Sequence, residues 1–520
     1  MNSGARRWSA GPGTPRRSIR VRCAAIEEGS TLSSSPKARS VRCLRIAAWL
    51  LVVAGASAAQ PRAPSRGKLS RLETLQLGVE RNLDLLVKRL EAKRLGVLEQ
   101  AAWQPYTPSL LFDADYQTYG RTTDSYDRDR LLAYQAGIGW KAPVGTTVSA
   151  TAQMNQSLAG SPAPGHDSVL ALTLSQPLLK DAWSAGAALP LAEARLQAAI
   201  QRELFEDDLN SFLMDLATAY WDLAVAQADL AIKTRSRDRA QRQYDDTAEN
   251  IRRGILANVE IYVVQDNVVF FEQELLRTEE TLLLARRKLA ELLQLDADSP
   301  LEADDKLEKP ELKLPARAAA VDEGLLASPK LREQRWRVEL AAARLSHASN
   351  QALPSLNANA SVGLTSGKTT SLFATWGQAV SPLTPDARVG LSLAVPLGWG
   401  PVNAAVESAR LDAERQQAEL ASRELKVRFE IDNGLTDLEA NVKLLALGQK
   451  QVEVAELKLG AETEKYKNGI STLADVVRFQ RDLDNALIGF KRGIRTLHVA
   501  HAKLLASQGT LRQTVGVEAR

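Results

Sequence analysis

The chain has 520 residues, of which 45% are hydrophobic and 25% charged, and its formal net charge is +4. The first 59 residues hold ten Lys or Arg and two Asp or Glu, so the remainder carries 56 basic and 60 acidic residues. This balance excludes a basic surface for nucleic acid, and we expect no nucleic-acid partner. Cys23 and Cys43 are the two cysteines and lie in the same leader, which excludes disulfides and zinc–cysteine sites from the rest.

Residues 1–59 have the composition of a leader. Residues 1–40 are rich in Arg, Ser and Pro, and we expect them to be disordered or to precede the true translation start. In 41–59, two arginines precede a short apolar run, and Ala56-Ser57-Ala58 offers small residues for cleavage. This pattern is typical of a secretory signal peptide, with an amphipathic organelle presequence as the alternative.

The first repeat, 69–295, begins with helical periodicity that is interrupted near Asn82 and ends at Pro105 and Pro108. Alternation of apolar and polar residues then predicts strands over 110–117, 132–140, 148–154 and 170–175. The middle two strands form a predicted hairpin, 131–156. A long helix from about Pro190 to Arg253, a tip at 254–258 and a helix from Asn258 to Leu295 complete the repeat.

A linker is predicted over 296–320, where charged residues and prolines occur without periodicity. The second repeat, 321–511, has the same order of elements: helix 321–350, strands 356–364 and 389–395, helix 401–468, a tip at 469–472 and helix 472–505. Pro108 and Pro354 lie 246 positions apart, whereas Pro177 and Pro396 lie 219 apart. The first repeat therefore holds 27 extra residues, about one β-hairpin, which accounts for the predicted hairpin.

The repeat is clearest where each long helix meets a glycine. Three pairs recur 215 positions apart: Gly254 and Gly469, Glu260 and Asp475, and Gln265 and Gln480. Glycine after a basic last turn is a typical helix stop, because it takes the left-handed conformation without a Cβ penalty. Asn258 and Thr472 are the predicted N-caps of the next helices, and Thr472-x-x-Asp475 has the form of a capping box. Each copy is thus the predicted tip of a long helical hairpin.

The predicted strands have one apolar face and one small or polar face. In a soluble sheet the apolar face would pack on a core, whereas in a membrane barrel it would contact lipid and the polar face would line a wet lumen. The helices need their apolar stripes for one another, so no element is left to cover the sheet. Four to six strands are too few to close a useful barrel, and an open edge is not tolerated in lipid, so the strands must be shared among copies. The predicted fold is mainly α, a helical tube continued by a membrane β-barrel.

Several polar and aromatic residues take predicted places in this fold. The predicted lumen residues are Asp113, Asp115, Asn357 and Asn359. Lumenal carboxylates would favour cations, and solvated strand carboxylates are the alternative. Trp140, Trp183 and Trp399 stand at predicted strand ends, which fits an interfacial aromatic belt or ordinary rim aromatics.

The sequence predicts no enzymatic site, no metal and no cofactor. His498 and His501 could share a helix face, but no Asp, Glu or Cys is spaced to complete a metal site, so a polar helix face is favoured. Phosphate loops, nucleophile elbows and paired catalytic carboxylates are not found. The alternative to a membrane channel is a soluble periplasmic coiled-coil scaffold.

This order of helix, Leu-Pro-Ser-Leu-type strand entry, strand, long helix and glycine tip, found twice, resembles the TolC-type outer-membrane efflux proteins (the outer membrane factor family) across 69–511. The resemblance implies a homotrimer in a Gram-negative bacterium, with a β-barrel in the outer membrane and an α-barrel in the periplasm. It also implies a periplasmic adaptor (membrane fusion) protein and an inner-membrane pump as partners. The function implied is a passive exit duct for efflux or type I secretion.

The resemblance also assigns roles to the tips. The implied adaptor-docking residues are Gly254, Ile255, Leu256, Gly469, Ile470, Ser471 and Thr472. Asp475 matches the acidic residue near the periplasmic aperture, and Glu260 is its counterpart in the first repeat. Arg478 stands where some members carry a second Asp, which implies an intrahelical pair with Asp475 or a less cation-retaining aperture. The extra hairpin departs from the family's plainer pattern of four strands per protomer.

Overall fold

A computed structural model describes residues 67–120, 128–159, 165–305, 307–310, 314–366, 384–398 and 400–516. The predictions for the leader, 1–59, and for Trp399 lie outside the described residues. Helices account for most of the described chain, and the remainder is largely one antiparallel sheet.

The first repeat contains elements in the predicted order. They are β1 (Lys68–Leu69), α1 (Arg71–Arg81), α2 (Leu83–Ala101), β2 (Ser109–Gly120), β3 (Arg128–Lys141), β4 (Thr147–Ala159), β5 (Gly165–Pro177), α3 (Trp183–Ala187), α4 (Leu189–Arg252) and α5 (Glu260–Leu292). Ser70 caps α1 in a reciprocal capping box with Glu73, and the Asn82 side chain accepts a hydrogen bond from the amide of Leu85 to start α2. The interruption near Asn82 is therefore a capped junction between two helices.

The second repeat follows after a short connection. Its elements are β6 (Glu302–Ala303), α6 (Arg317–Ala327), α7 (Pro329–Gln351), β7 (Ser355–Thr365), β8 (Thr384–Ala394), α8 (Gly400–Lys467), α9 (Leu473–Gln508) and α10 (Leu511–Val515). Helix α6 has the same length as α1 and begins 246 positions later. Asn82 and Ser328, the junction residues, have nearly the same extended backbone angles. The offset of 246 positions between Pro108 and Pro354 therefore also relates the helices of the two repeats.

The long helices α4 and α8 contain 64 and 68 residues, which at 1.5 Å per residue is roughly 95–100 Å. Each packs along the helix that follows its tip, so that α4 pairs with α5 and α8 with α9. Shorter helices meet these partners end to end. The side-chain amide of Asn82 donates to the backbone carbonyl of Leu292 at the end of α5. The side-chain amide of Gln508, at the end of α9, donates to the backbone carbonyl of Ala320 in α6.

The core lies between these helices in two large clusters and a small one around Leu196, Ile200 and Leu340. One large cluster is formed by residues of α1, α4 and α5, among them Leu75, Leu209, Leu213, Leu216 and Leu289. The other large cluster is formed around α8 and α9, among them Tyr220, Leu331, Ile431, Leu435 and Leu497. Several of these side chains have no solvent exposure. In the described residues, no helix carries an apolar stretch that suffices to cross a bilayer.

The predicted linker is ordered where it is described, and it is tied to the helices. β6 pairs in parallel with β1, and the Tyr220 hydroxyl donates to the carbonyl of Leu69 and accepts from the amide of Asp305. Lys491 of α9 also donates to the carbonyl of Leu307. Helix α6 begins at Arg317, so the predicted start of the second repeat at 321 falls inside a helix.

The six long strands form one antiparallel sheet in the order β2-β3-β4-β5-β7-β8. The predicted hairpin is present as β3 and β4, joined by a tight turn in which Gly145 has a positive φ of 90°. All six strands are longer than predicted, since they contain 11 to 14 residues. Trp183 is not at a strand end, because it begins the short helix α3.

Candidate functional site

The register of the sheet places its apolar residues on a single face. One row of directly opposed residues crosses all six strands: Leu110, Ile138, Ala150, Leu172, Val362 and Ala387. A second row on the same face runs from Trp140 of β3 to Val389 of β8, which is 90% exposed. Leu110 is 86% exposed. Large apolar side chains therefore face outward along the sheet instead of packing on a core.

The four predicted lumen residues lie on the opposite face. Asp113 and Asp115 alternate with the apolar residues of β2, and Asn357 and Asn359 do so on β7. Hydrogen bonds cross this face from strand to strand: Ser175 Oγ donates to Asn359 Oδ1 over 2.7 Å, and Asn155 Nδ2 to Asp167 Oδ2 over 3.0 Å. The structure thus brings all four residues to one polar face, with three strands between β2 and β7.

The sheet has two free edges within the chain. β2 is the first strand and β8 the last, and in the described residues neither pairs with a second strand on its outer side. Each edge strand presents backbone N–H and C=O groups that need a partner if they are removed from water. The sheet is therefore open in one chain.

The hairpin tips contain two copies of one backbone motif. Gly254 and Gly469 have φ of 76° and 74°. The amide of Ile255 donates to the carbonyl of Asn250, and the amide of Ile470 donates to that of Lys465. With the adjoining bonds from the glycine amides these are Schellman motifs, so the predicted helix stops are confirmed.

The helices that leave the tips begin differently. Thr472 is the N-cap of α9: its Oγ1 accepts from the amide of Asp475 and donates to the Asp475 carboxylate over 2.7 Å. The predicted cap Asn258 is wrong, because α5 begins at Glu260 with Val259 as N-cap and no side-chain hydrogen bond. The reason is that a turn from Ala257 to Glu260 precedes α5, so the helix starts two residues later.

Charged groups lie close to the second tip. Arg478 Nη2 lies 3.2 Å from Asp475 Oδ1, so the intrahelical pair is formed. The Ser471 hydroxyl donates to Glu462, and this bond, with a further bond from Lys465, lowers the pKa of that carboxyl. Burial raises the pKa of Tyr466, and the negative charge of Glu260, the predicted aperture residue of the first tip, raises it further.

A surface groove of about 500 Å³ separates the starts of α5 and α9. Its lining residues come from the two helices: Val259, Tyr262, Val263 and Asp266 from α5, and Ala474, Val477, Arg478 and Arg481 from α9. Ile255 and Ile470 at the adjoining tips are 66% and 77% exposed. Leu256 and Ser471 are half-buried. The two tips therefore present exposed apolar residues beside a groove with charged walls.

Links between the hairpins were not anticipated from the sequence. The buried Asp484 carboxylate of α9 accepts from Ser236 Oγ over 2.6 Å and from Arg239 Nη2 over 2.7 Å, and both donors are on α4. Arg481 Nε donates to Asn267 Oδ1 of α5 over 3.1 Å. A signal was present, because Asp484 follows Val477 by seven residues and so falls on the apolar stripe of α9.

The two histidines of α9 have a structural explanation. His498 stacks on Trp221 of α4 with ring centroids 3.9 Å apart. Burial lowers the pKa of His498 to about 4 and also lowers that of His501. The expected polar helix face is therefore wrong for His498, which is half-buried against α4, while His501 is half-buried one turn further along α9. In the described part of the chain no group of three or more His, Cys, Asp or Glu side chains is placed to hold a metal ion.

Comparison with known proteins agrees with this architecture. Residues 320–510 match the family profile described as "Outer membrane efflux protein". Nodulation protein T of Rhizobium leguminosarum bv. trifolii is 23% identical over 306 residues, which cover 58% of this chain and 63% of that protein. The chain thus spans less than two thirds of this curated relative.

Solved structures match over a larger share of the chain. The outer-membrane channel OprN gives a TM-score of 0.64 at 17% identity, covering 88% of this chain and 95% of that one. Campylobacter jejuni CmeC gives 0.62 at 14% identity, covering 85% and 86%. Open-state MtrE of Neisseria gonorrhoeae gives 0.62 at 17% identity, covering 87% and 95%. Residues 320–510 therefore resemble the outer membrane efflux protein family, and the fold of the chain is that of the outer-membrane channels OprN, CmeC and MtrE.

Proposed function

We propose that the protein is an outer-membrane channel, the passive exit duct of a tripartite efflux or type I secretion system. The observation that carries this proposal is the sheet, whose apolar face is exposed while its opposite face holds Asp113, Asp115 and hydrogen-bonded amides. Exposing apolar area to water costs about 25 cal/mol per Å². In a membrane the same face contacts lipid, and the polar face lines a water-filled lumen.

The open edges of the sheet support assembly from several copies, and we propose a homotrimer. An edge strand in lipid leaves backbone groups without water or protein partners, and each costs several kcal/mol. β2 and β8 must therefore pair with other copies when the sheet is in the outer membrane. The helical hairpins have no membrane-spanning stretch among the described residues, and we place them in the periplasm as an α-barrel. The leader, 1–59, would direct secretion across the inner membrane.

The tips are the proposed contact with a periplasmic adaptor. They expose Ile255 and Ile470 on rigid Schellman turns beside the groove between α5 and α9. Exposed apolar side chains held on rigid backbone are suited to docking, because little conformational entropy is lost on binding. Leu256, Ser471 and Thr472 complete this docking surface. An inner-membrane pump supplies the energy for transport.

Glu260 and Asp475 are the proposed acidic residues of the periplasmic aperture. Their geometry differs between repeats, since Asp475 is paired with Arg478 whereas Glu260 lies in the first turn of an uncapped helix. The pair reduces the negative charge that the second tip contributes. We therefore propose an aperture that retains cations less than a ring of unpaired carboxylates would.

Fractionation of cells tests the proposed location. We expect the full chain in the outer membrane after a high-salt wash, and a trimer in a mass measurement of the detergent-solubilised protein. A soluble monomer in the periplasm would refute the channel and favour the coiled-coil scaffold. A salt-resistant membrane protein of another copy number would keep the channel and refute the trimer.

A further inference from the structure

The β3–β4 hairpin lies inside the sheet and not at its margin. β3 pairs with β2 from Ser109 to Gly120, and β4 pairs with β5 along most of its length. In the second repeat the corresponding strands, β7 and β8, pair directly with each other. The hairpin therefore separates β2 from β5, which would otherwise be neighbours, and adds two strands to the wall.

The hairpin continues both faces of the sheet. Its apolar side carries Tyr134 and Ile138 on β3, opposite Met154 and Ala150 on β4. Its other side carries Gln153, whose amide donates to Asn155 over 2.9 Å. β3 and β4 contain 14 and 13 residues, more than the about 9–11 that a tilted strand needs to cross a bilayer. The hairpin thus has the composition and length of membrane-spanning wall.

The two free edges can join between copies. An antiparallel order of six strands makes β2 and β8 run in opposite directions, so β8 of one copy and β2 of the next form an antiparallel pair. They also have similar lengths, 12 and 11 residues. Closure with any number of copies keeps the strand number even, as in membrane barrels.

The residues on these edges are complementary. Within a copy, the first residue of β7, Ser355, is opposite the last residue of β8, Ala394. The same alignment between copies would place Ser109 of β2 opposite Ala394 of β8. Leu110 then faces Leu393 on the apolar side, and Asp115 faces Arg388 on the polar side. Arg388 is 79% exposed in one copy, where it pairs with Asp386 of its own strand.

We infer that three copies close a barrel of eighteen strands, six from each copy, with an Asp115–Arg388 salt bridge at each seam, and that the hairpin sets the lumen width. The inference rests on the proposed trimeric channel. With strands about 4.8 Å apart and tilted by about 40°, the barrel is roughly 36 Å across between backbones, against roughly 24 Å for a twelve-stranded barrel. The hairpin more than doubles the cross-section and so admits larger hydrated solutes.

Electron cryomicroscopy of the detergent-solubilised full chain is the direct test. We expect a trimer whose barrel wall contains eighteen strands, with β3 and β4 between β2 and β5. A trimer with twelve wall strands and the hairpin outside the wall would overturn this inference and leave the proposed channel intact. A monomer would overturn the proposed function itself.

Cysteine cross-linking tests the seam, because the two native cysteines lie in the leader, at Cys23 and Cys43. Asp115→Cys with Arg388→Cys should give covalent dimers and trimers on a non-reducing gel. The control pair, Asp115→Cys with Ala133→Cys, joins residues opposite each other within one copy and should leave the monomer size unchanged. A trimeric protein whose seam pair remains monomeric would refute the proposed register.

Deletion of 128–159 tests the width, since it leaves β2 followed by β5, the arrangement of β7 and β8 in the second repeat. The deleted protein should remain an SDS-resistant trimer. The cross-section available to neutral polymers entering from the barrel side should fall by about half. An unchanged polymer cut-off in an assembled trimer would show that the hairpin does not set the width. If the chain with the deletion does not assemble, the number of wall strands seen by cryomicroscopy of the full chain decides whether the hairpin is part of the barrel.

Discussion

The sheet and the helical hairpins are both amphipathic, but only the hairpins cover their apolar side chains within the same chain. In the hairpins, Leu209, Leu213 and Leu216 of α4 are fully enclosed by other helices of the same chain. In the sheet, Val389 and Leu391 remain exposed, and the opposite face is polar. The difference lies in what covers each apolar stripe, because a helix stripe finds a second helix whereas the sheet face finds none. An amphipathic pattern therefore predicts a two-faced element, and the supply of partner surfaces decides which face meets water.

A charge on the apolar face of β8 should have the largest effect, and the same charge on its polar face should have little. Leu391→Arg puts a charge on the proposed lipid face, where it costs about 2–4 kcal/mol at the bilayer midplane. With three copies in one barrel, we expect loss of outer-membrane insertion, measured by fractionation and by SDS-resistant trimer. Ser392→Arg, the matched control on the polar face, should insert and assemble like the unmodified protein.

Normal membrane insertion of Leu391→Arg would contradict the assignment of the apolar face of β8 to lipid. An exposed leucine on a soluble sheet tolerates arginine, so normal folding and a periplasmic location would favour the scaffold. Loss of insertion by both variants would instead show that β8 does not tolerate charge on either face, and the assignment of lumen and lipid faces would be wrong.

Truncation of a leucine in each region should show the same contrast on a smaller scale. Leu213→Ala in α4 removes a fully buried side chain and should lower the free energy of unfolding by about 2–5 kcal/mol. Leu391→Ala removes only lipid contact and should cost less than about 1.5 kcal/mol, because no cavity is formed. Thermal denaturation in one detergent measures both. Equal losses would mean that Leu391 is enclosed by protein, which contradicts the exposed sheet face.

Much of this fold was predictable from the sequence, because its signals are local. The proline anchors located both strand entries, and the tip glycines predicted helix stops that have the expected positive φ. The cap prediction at Asn258 failed because residue propensity favours Asn as an N-cap but does not fix the helix start to within one or two residues. The structure has Val259 as the N-cap and Glu260 as the first residue of α5. Strand lengths were underestimated since the ends, such as Thr384–Arg388, are too polar to alternate visibly.

The position of Asp484 on an apolar stripe marked it as unusual, but the sequence could not identify its partners on the other hairpin. Asp484 meets Ser236 and Arg239 across 248 and 245 positions of chain, and one sequence gives no measure of that proximity. The stacking of His498 on Trp221 depends likewise on the rotation of α4 against α9. By contrast, the shared face of the four proposed lumen residues followed from strand alternation alone, because side chains alternate with a period of two.

The helix interface should respond to acid through His498. Its pKa is about 4 in the folded chain and about 6.5 when exposed, so between these values the unfolded chain binds more protons. Stability should therefore fall as the pH falls from about 6.5 to about 4, and this residue contributes no pH dependence above that window. We expect about 1–2 kcal/mol, less than the full shift in pKa implies, because the ring keeps some contact with solvent.

The variant His498→Phe keeps an aromatic ring against Trp221 and cannot be protonated. Its melting temperature should fall less than that of the unmodified protein between pH 6.5 and pH 4. His501 remains in both proteins, so its contribution cancels in the comparison. Parallel pH profiles would show that the His498 ring is solvated and would contradict its stacking on Trp221.

The smallest effect is expected for replacement of glycine by alanine near the second tip. The same replacement should stabilise the helix at one position and destabilise the turn at another. Gly460 lies inside α8 and Gly469 at its Schellman turn, and a Cβ added to either would meet open space. Gly460→Ala should stabilise the helix by about 1 kcal/mol, whereas Gly469→Ala forces a side chain into φ of 74° and should cost about 1–2 kcal/mol. Hydrogen exchange of the tip amides measures the local change, and cross-linking to the adaptor measures docking. If Gly469→Ala leaves both unchanged, a rigid left-handed turn is not what holds the proposed docking residues in place.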